Sequence, residues 1–153
     1  MAKIDIKYVN IRVAEPKDCK IIAEIEKNTS KEPWSEQSLA EDIAENDKSI
    51  VILAEIDGKV IAYADVWKVA DELQLNNIAV IEEYRGNHIA KELLEVLADA
   101  GREIGCTVMN LEVRESNSSA RALYEHAGFH VVGQRENYYL DNNENAILMD
   151  LNL

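Results

Sequence analysis

The sequence is short of the residues that usually impose an unusual fold: two cysteines, two prolines and six glycines in 153 residues. Cys19 and Cys106 lie far apart and have no paired-ligand spacing, which argues against a disulfide-stapled scaffold or a thiolate metal knuckle and points to reduced cytoplasmic thiols. So few prolines and glycines leave no low-complexity linker or collagen-like tract. Basic side chains are scarce as well, 16 against 29 acidic ones, for a net charge of −13. The long-range field therefore repels phosphate backbones and anionic headgroups, and no direct nucleic-acid partner is expected. The longest apolar run, "IVILA" at 50–54, is strand-sized against the roughly 20 residues a bilayer span requires. The opening "MAKIDIKYVN" alternates apolar and polar residues and lacks the continuous apolar core of a signal peptide. The expectation is a cytoplasmic protein with no membrane partner.

What is present is ordinary globular material, 47% hydrophobic and 29% charged. A chain of this length buries about two-thirds of the surface it exposes when unfolded, so one domain over residues 1–153 is expected without help from a metal. The acidic excess suits a cationic partner, an amine or a basic protein, and serves solubility equally well.

Alternation in "IDIKYVNIRV" suggests a first strand with one irregularity, and Pro16 opens a helix whose stripe is Ile21, Ile22 and Ile25. Ser35 is placed to cap a second, short helix with Leu39 and Ile43 on one face. "SIVILAEI" and "KVIAYADVWKV" flank Asp57-Gly58, a hairpin signal, and "ELQLNNIAV" reads as the next strand. Ile89, Leu93, Leu97, Ala100 and Ile104 recur at helical intervals in the longest helix, stopped by Gly105. "CTVMNLEV" is a further strand, and a helix follows it with Asn117 as cap and Gly128 as stop. Two late strands cover roughly 131–136 and 146–151. The order β, α, α, β, β, β, α, β, α, β, β describes an α/β protein of the α+β type, with a mixed sheet and helices on its faces.

Two places carry chemistry. At "NNIAVIEEYRGNHIAKELL" a strand runs through a loop into a helix, whose N-terminal N–H groups and dipole suit a phosphate. Arg85 adds charge there, Gly86 allows close approach and Lys91 lies one turn in. In "LEVRESNSSARALYEHAGF", Glu112 points away from Leu111 and Val113, toward either solvent or a cleft. Tyr124 falls on the stripe of Ala120, Leu123 and Ala127. His126 and His130 are four apart, but Gly128 ends the helix between them and no third ligand is near, so no metal is expected.

Together, "PWS" at 33–35, "NIAV" at 77–80, "LEVR.SN..A..LY...GF" and "NYY" at 137–139 resemble the GNAT superfamily of acetyl-CoA-dependent N-acetyltransferases. The likeness runs from about Ile11 to Leu151, and "PWS" with "LEVR.SN" and "NYY" is most similar to the branch that acetylates ribosomal-protein alanine N-termini. It implies a mostly antiparallel, splayed sheet of about seven strands, acetyl-CoA as co-substrate, and no metal. The main chain of Ile78, Ala79 and Val80 would hold the acetyl and pantetheine part. Arg85, Gly86, Asn87, His88, Ile89, Ala90 and Lys91 would cradle the pyrophosphate, and Asn117 would touch the cofactor. Glu112 would be the general base and Tyr124 the general acid, while Trp34, Tyr138 and Tyr139 would line the substrate groove. The acceptor implied is the N-terminal alanine of a small-subunit ribosomal protein, with the enzyme a monomer or weak dimer. A small amine, another protein N-terminus, or a noncatalytic acyl-CoA-binding role are the competing readings. One position departs from the family loop: His88 stands where the first glycine belongs; a histidine can serve there if its φ is negative, and a position that needs φ above zero or no Cβ would cost cofactor affinity.

Overall fold

A computed structural model describes residues 4–153. The strands are β1 (Asn10–Val13), β2 (Ser49–Ile56), β3 (Lys59–Val69), β4 (Glu72–Val80), β5 (Val108–Arg114), β6 (His130–Tyr139) and β7 (Glu144–Asn152). The helices are α1 (Cys19–Thr29), α2 (Glu36–Ala44), α3 (Ile89–Glu103) and α4 (Ser118–His126). The strands form one mixed, mostly antiparallel sheet ordered β1-β2-β3-β4-β5-β7-β6. Element order and sheet class agree with the sequence reading. Four details differ. Ile6–Tyr8 is a 3-10 turn, because the Asp5 side chain accepts the Lys7 N–H, so strand β1 is only its second half. Pro16 opens a 3-10 turn, Pro16–Asp18, that leads into α1. Ile104 lies past the end of α3 and is exposed, outside the stripe expected of it. Strands β6 and β7 run longer than their apolar cores suggested, because their pairing continues through polar residues.

By its internal contacts the chain divides into two compact units: one reaches to Lys68 and includes Asn76–Leu94, the other is Val69–Leu75 with Glu95–Leu153. In the first, Ile22 and Ile25 of α1, Leu39 of α2, Val51 and Leu53 of β2, Tyr63 of β3 and Ala79 of β4 form a buried cluster. Ser35 caps α2 by accepting the Ser38 N–H at 3.0 Å. Asp57 and Gly58 both take positive φ, 51° and 79°, as a two-residue hairpin loop between strands requires.

The same unit buries charge. Tyr63, Asp65 and Trp67 are alternate residues of β3 and share a face. Asp65 is fully buried beside Asp42 of α2, which is also buried. The Trp67 indole N–H lies 3.0 Å from each Asp42 oxygen and Asn46 Nδ2 donates to Asp42 at 2.9 Å. Burial opposes ionisation of Asp42, but the neighbouring Asp65 and the hydrogen bonds from Asn46 and Trp67 outweigh it and hold that carboxyl below its usual range. Burial, and then the hydrogen bond and charge of Asp42, push Asp65 up to about 9. One proton is thus shared by two carboxyls and sits on Asp65.

In the second unit β5 is antiparallel to β7 along its whole length, from Val108↔Asn152 to Arg114↔Ala146, and β7 pairs with β6. Gly101 of α3 has a packing reason: an added Cβ would lie 2.6 Å from a Leu73 methyl and 2.9 Å from a Leu153 methyl. The parallel register of β4 with β5 covers Glu72↔Val108, Leu73↔Met109 and Gln74↔Asn110 and goes no further. The rest of β4 therefore presents its β5-side backbone groups to whatever else satisfies them.

The acid pair has a signed consequence. Asp65 is ionised in the unfolded chain and protonated in the fold, so its contribution to stability is fully present below about pH 4 and is lost as pH rises toward about 9. Asp65→Asn is expected to flatten that fall in urea melts taken across this range; an unchanged slope in the variant would show that the proton resides elsewhere.

Candidate active site

The loop from β4 into α3 is shaped for an anion. After the 3-10 turn Glu82–Tyr84, Gly86 has φ 80° and His88 has φ 62°, while Asn87 between them does not take positive φ. Such alternation gathers successive N–H groups on one concave side, next to the N-terminus of a fifteen-residue helix. Asn87 holds the conformation: its Oδ1 accepts the Ile4 N–H at 3.1 Å and its Nδ2 donates to the Tyr84 carbonyl at 3.0 Å. The His88 carbonyl accepts the Glu92 N–H at 3.0 Å, the first turn of α3. Ile89 is buried beneath the loop, and Ala90 and Lys91 follow it in the helix.

His88 takes positive φ, the case in which the sequence reading expects a cost in cofactor affinity. A residue with a Cβ in the left-handed region carries strain of about 1–2 kcal/mol, which the family's glycine avoids.

On β4 the backbone groups expected to meet a ligand already have local partners. The Ile78 N–H donates to the side-chain carbonyl of Asn77 at 3.0 Å, and the Val80 carbonyl accepts Arg85 Nε at 3.1 Å. Arg85 thus braces the loop against its own strand as well as adding charge. The sequence reading gave Asn77 no role; its signal was an Asn-Asn pair interrupting the apolar–polar alternation of the strand.

The catalytic candidates stand in the second unit, described by itself. Glu112 on β5 is flanked by buried Leu111 and Val113, and its side chain is 29% exposed, so the strand alternation read from sequence holds. Its Oε1 accepts Arg135 Nε at 3.1 Å. The Tyr138 hydroxyl also bonds Glu112, and this bond, followed by the Glu112 charge and burial, raises the Tyr138 phenol. Tyr138 and Tyr139 meet edge to face at 5.2 Å, and the Arg114 guanidinium lies 4.0 Å over the Tyr139 ring. Arg114 also reaches Asp141 at 3.0 Å and Glu144 at 3.4 Å. Tyr124 of α4 is buried and edge-on to Phe129 at 5.7 Å. Burial, and then the nearby Tyr139, push its hydroxyl up to about 12. Asn117 caps α4, its Oδ1 accepting the Ala120 N–H at 3.2 Å. The structure therefore brings Glu112 together with Tyr138, and Tyr139 close to Tyr124. Arg135 was not singled out from sequence, where it was one arginine in a polar run, and Arg114 entered only as a letter of the "LEVR" motif with no role assigned.

Trp34 belongs to the first unit. Its N–H donates to the buried Glu26 at 3.0 Å, and its ring lies 6.4 Å from that of Trp67. The two indoles wall a cavity of about 890 Å³ that Glu41, Asp42, Glu45 and Asp47 make acidic; none of its lining residues belongs to 78–91.

Residues 19–129 match the model of the Acetyltransferase (GNAT) family. The chain is 39% identical over 129 residues to the [Ribosomal protein bS18]-alanine N-acetyltransferase of Escherichia coli strain K12, covering 83% of this chain and 86% of that one. It is 37% identical to the Haemophilus influenzae protein of the same name, over 86% and 90% of the two chains. The crystal structure of the ribosomal-protein-S18-alanine N-acetyltransferase from Escherichia coli is similar with a TM-score of 0.85 and 36% identity, over 94% of this chain and 93% of that one.

His88→Gly is expected to stabilise the protein by about 1 kcal/mol through release of the left-handed strain, read as a higher denaturation midpoint. A lower midpoint would mean that the imidazole itself holds the loop.

Proposed function

Because the chain belongs to the acetyltransferase (GNAT) family, we propose that it moves acetyl from acetyl-CoA to a protein N-terminal α-amine, the terminal alanine of ribosomal protein bS18. The observation that carries this is the cluster around Glu112: a partly exposed carboxylate, hydrogen-bonded by Tyr138 and Arg135, on the strand that the family motif predicts. Residues 1–153 act as one domain, in the cytoplasm, as a monomer or weak dimer and without a metal. No helix among the described residues is long and apolar enough to cross a membrane.

Acetyl-CoA supplies an activated thioester and a diphosphate handle. The residues present fit it: the Gly86–His88 backbone and the start of α3 offer converging N–H groups and positive dipole to the diphosphate. Ile78, Ala79 and Val80 offer main chain to the acyl arm, with the Asn77 side chain giving up the Ile78 N–H as the ligand takes it. Asn117 and Lys91 contribute polar contacts along the same ligand.

An α-amine, with a reference pKa of about 7.7–8.0, is easier to deprotonate than a lysine at about 10.4, by roughly 3.5 kcal/mol. Glu112 takes the ammonium proton directly or through a water, and the neutral amine attacks the thioester carbonyl. Tyr124 faces the opposite task. With its hydroxyl raised to about 12 it is a weaker acid than a thiol, so it stabilises the departing thiolate by donating a hydrogen bond rather than by surrendering its proton. Trp34, Tyr138 and Tyr139 line the acceptor's path, and the acidic cavity beside Trp34 suits the basic tail of a ribosomal protein.

Three acceptors offered with acetyl-CoA separate the possibilities: a peptide copying the bS18 N-terminus, a blocked peptide with an internal lysine, and a polyamine. Acetyl found by mass spectrometry only on the first α-amine supports the assignment; acetyl only on the polyamine removes the substrate, and no transfer despite binding removes the enzyme. Tyr124→Phe is expected to lower kcat at least about tenfold and Glu112→Gln about 10²-fold, with the KM for acetyl-CoA little changed. Weakened cofactor binding without a rate defect would contradict both roles.

A further inference from the structure

Strand alternation should send Arg135 and Tyr138, three residues apart on β6, to opposite faces, yet both reach Glu112. The register explains it. Arg135 pairs with Ala146 and Tyr139 with Glu144, so β6 advances four residues while β7 advances two. The two extra residues form a bulge around Asn137, whose φ is 53° and whose N–H is held by Asn145 Oδ1 at 3.1 Å. Bulges of this kind re-aim side chains, and here the result is that a cation and a phenol converge on one carboxylate.

The charged and titratable groups around Glu112 are few. Strand β6 supplies Arg135, Tyr138 and Tyr139. On β5 itself Arg114, two residues on, has its charge met by Asp141 and Glu144. Strand β7 places neutral Leu148 opposite Glu112, with Ala146 two residues away. Arg135 is thus the cation in direct contact with the carboxylate, and its own side chain is 58% exposed, with room to move aside.

We propose that Arg135 is a positioning residue for Glu112: it keeps the carboxylate aimed in the free enzyme and yields its place to the acceptor's α-ammonium. The inference rests on the reading of Glu112 as the base. An arriving ammonium carries the charge and the N–H donors that Arg135 presents, so it replaces the guanidinium without leaving the carboxylate unpaired. The ammonium proton then passes to Glu112 as the C–N bond forms. The C–S bond breaks and its electron pair leaves on the thiolate beside Tyr124; the second proton lost by the attacking nitrogen passes through water to that thiolate, and Glu112 returns its own proton to solvent while Arg135 swings back. Lysine, a point charge on a flexible stem, keeps the attraction but loses the planar fork that aims it.

The test compares wild type, Arg135→Gln and Arg135→Lys with the alanine peptide as acceptor. In the glutamine variant kcat/KM for the peptide is expected to fall about tenfold, with the lysine variant in between and the KM for acetyl-CoA unchanged. The Glu112 carboxyl resonance, followed by NMR at one fixed neutral pH in ¹³C-labelled protein, is expected to be displaced and broadened in the glutamine variant, as for a carboxylate released from a fixed partner. Because that readout needs no turnover, it separates the two ideas: an inactive wild type would sink the acetyltransferase reading alone. An unmoved Glu112 resonance in Arg135→Gln would overturn the role given to Arg135, whatever the activity.

Discussion

The site depends on a pairing that stops early. Strand β4 runs for nine residues and β5 for seven, yet their parallel register covers three. Backbone groups in a sheet must be satisfied, and a strand that loses its neighbour part-way either binds something or turns to its own side chains. Residues 77–80 do the latter: Asn77 caps the Ile78 N–H and Arg85 reaches back to the Val80 carbonyl. Both substitutes are side chains, which move aside more readily than a neighbouring strand would.

The same economy governs β5. Its other edge is fully used by β7, so Glu112 is rigidly placed, and the groups that meet it come from β6 by way of the bulge. In the proposed reaction, a rigid base with an adjustable partner lets one cation be exchanged for another. The net charge of −13 serves the same end by favouring approach of basic polypeptides, while the buried Asp42–Asp65 pair shows that not all of the acidity faces solvent.

The fold was legible because local signals and global pattern agree: the Asp57-Gly58 hairpin, the Ser35 and Asn117 caps, and the stripe of Ile89, Leu93 and Leu97 each do what their chemistry suggests. The first strand misled because Ile4, Ile6 and Tyr8 alternate like a strand while Asp5 turns the chain by a side-chain hydrogen bond that periodicity does not register. Glu112 and Tyr124 were singled out through family resemblance; periodicity alone left Glu112 facing either solvent or a cleft and placed Tyr124 on the apolar stripe of its helix. Their partners escaped because a bulge breaks the period-two rule on which strand reading relies, so nothing in "GQRENYY" says that Arg135 and Tyr138 share a face. The positive φ of His88 escaped for a related reason: the identity of a residue does not disclose its backbone angle.

The most direct measurement is amide hydrogen exchange with and without saturating acetyl-CoA, resolved to single residues. The account predicts that the cofactor slows exchange at 78–80 and at 86–91, where β4 lacks a β5 partner and the loop presents its N–H groups. Tight binding with protection confined to other segments, and none at these two, would contradict it.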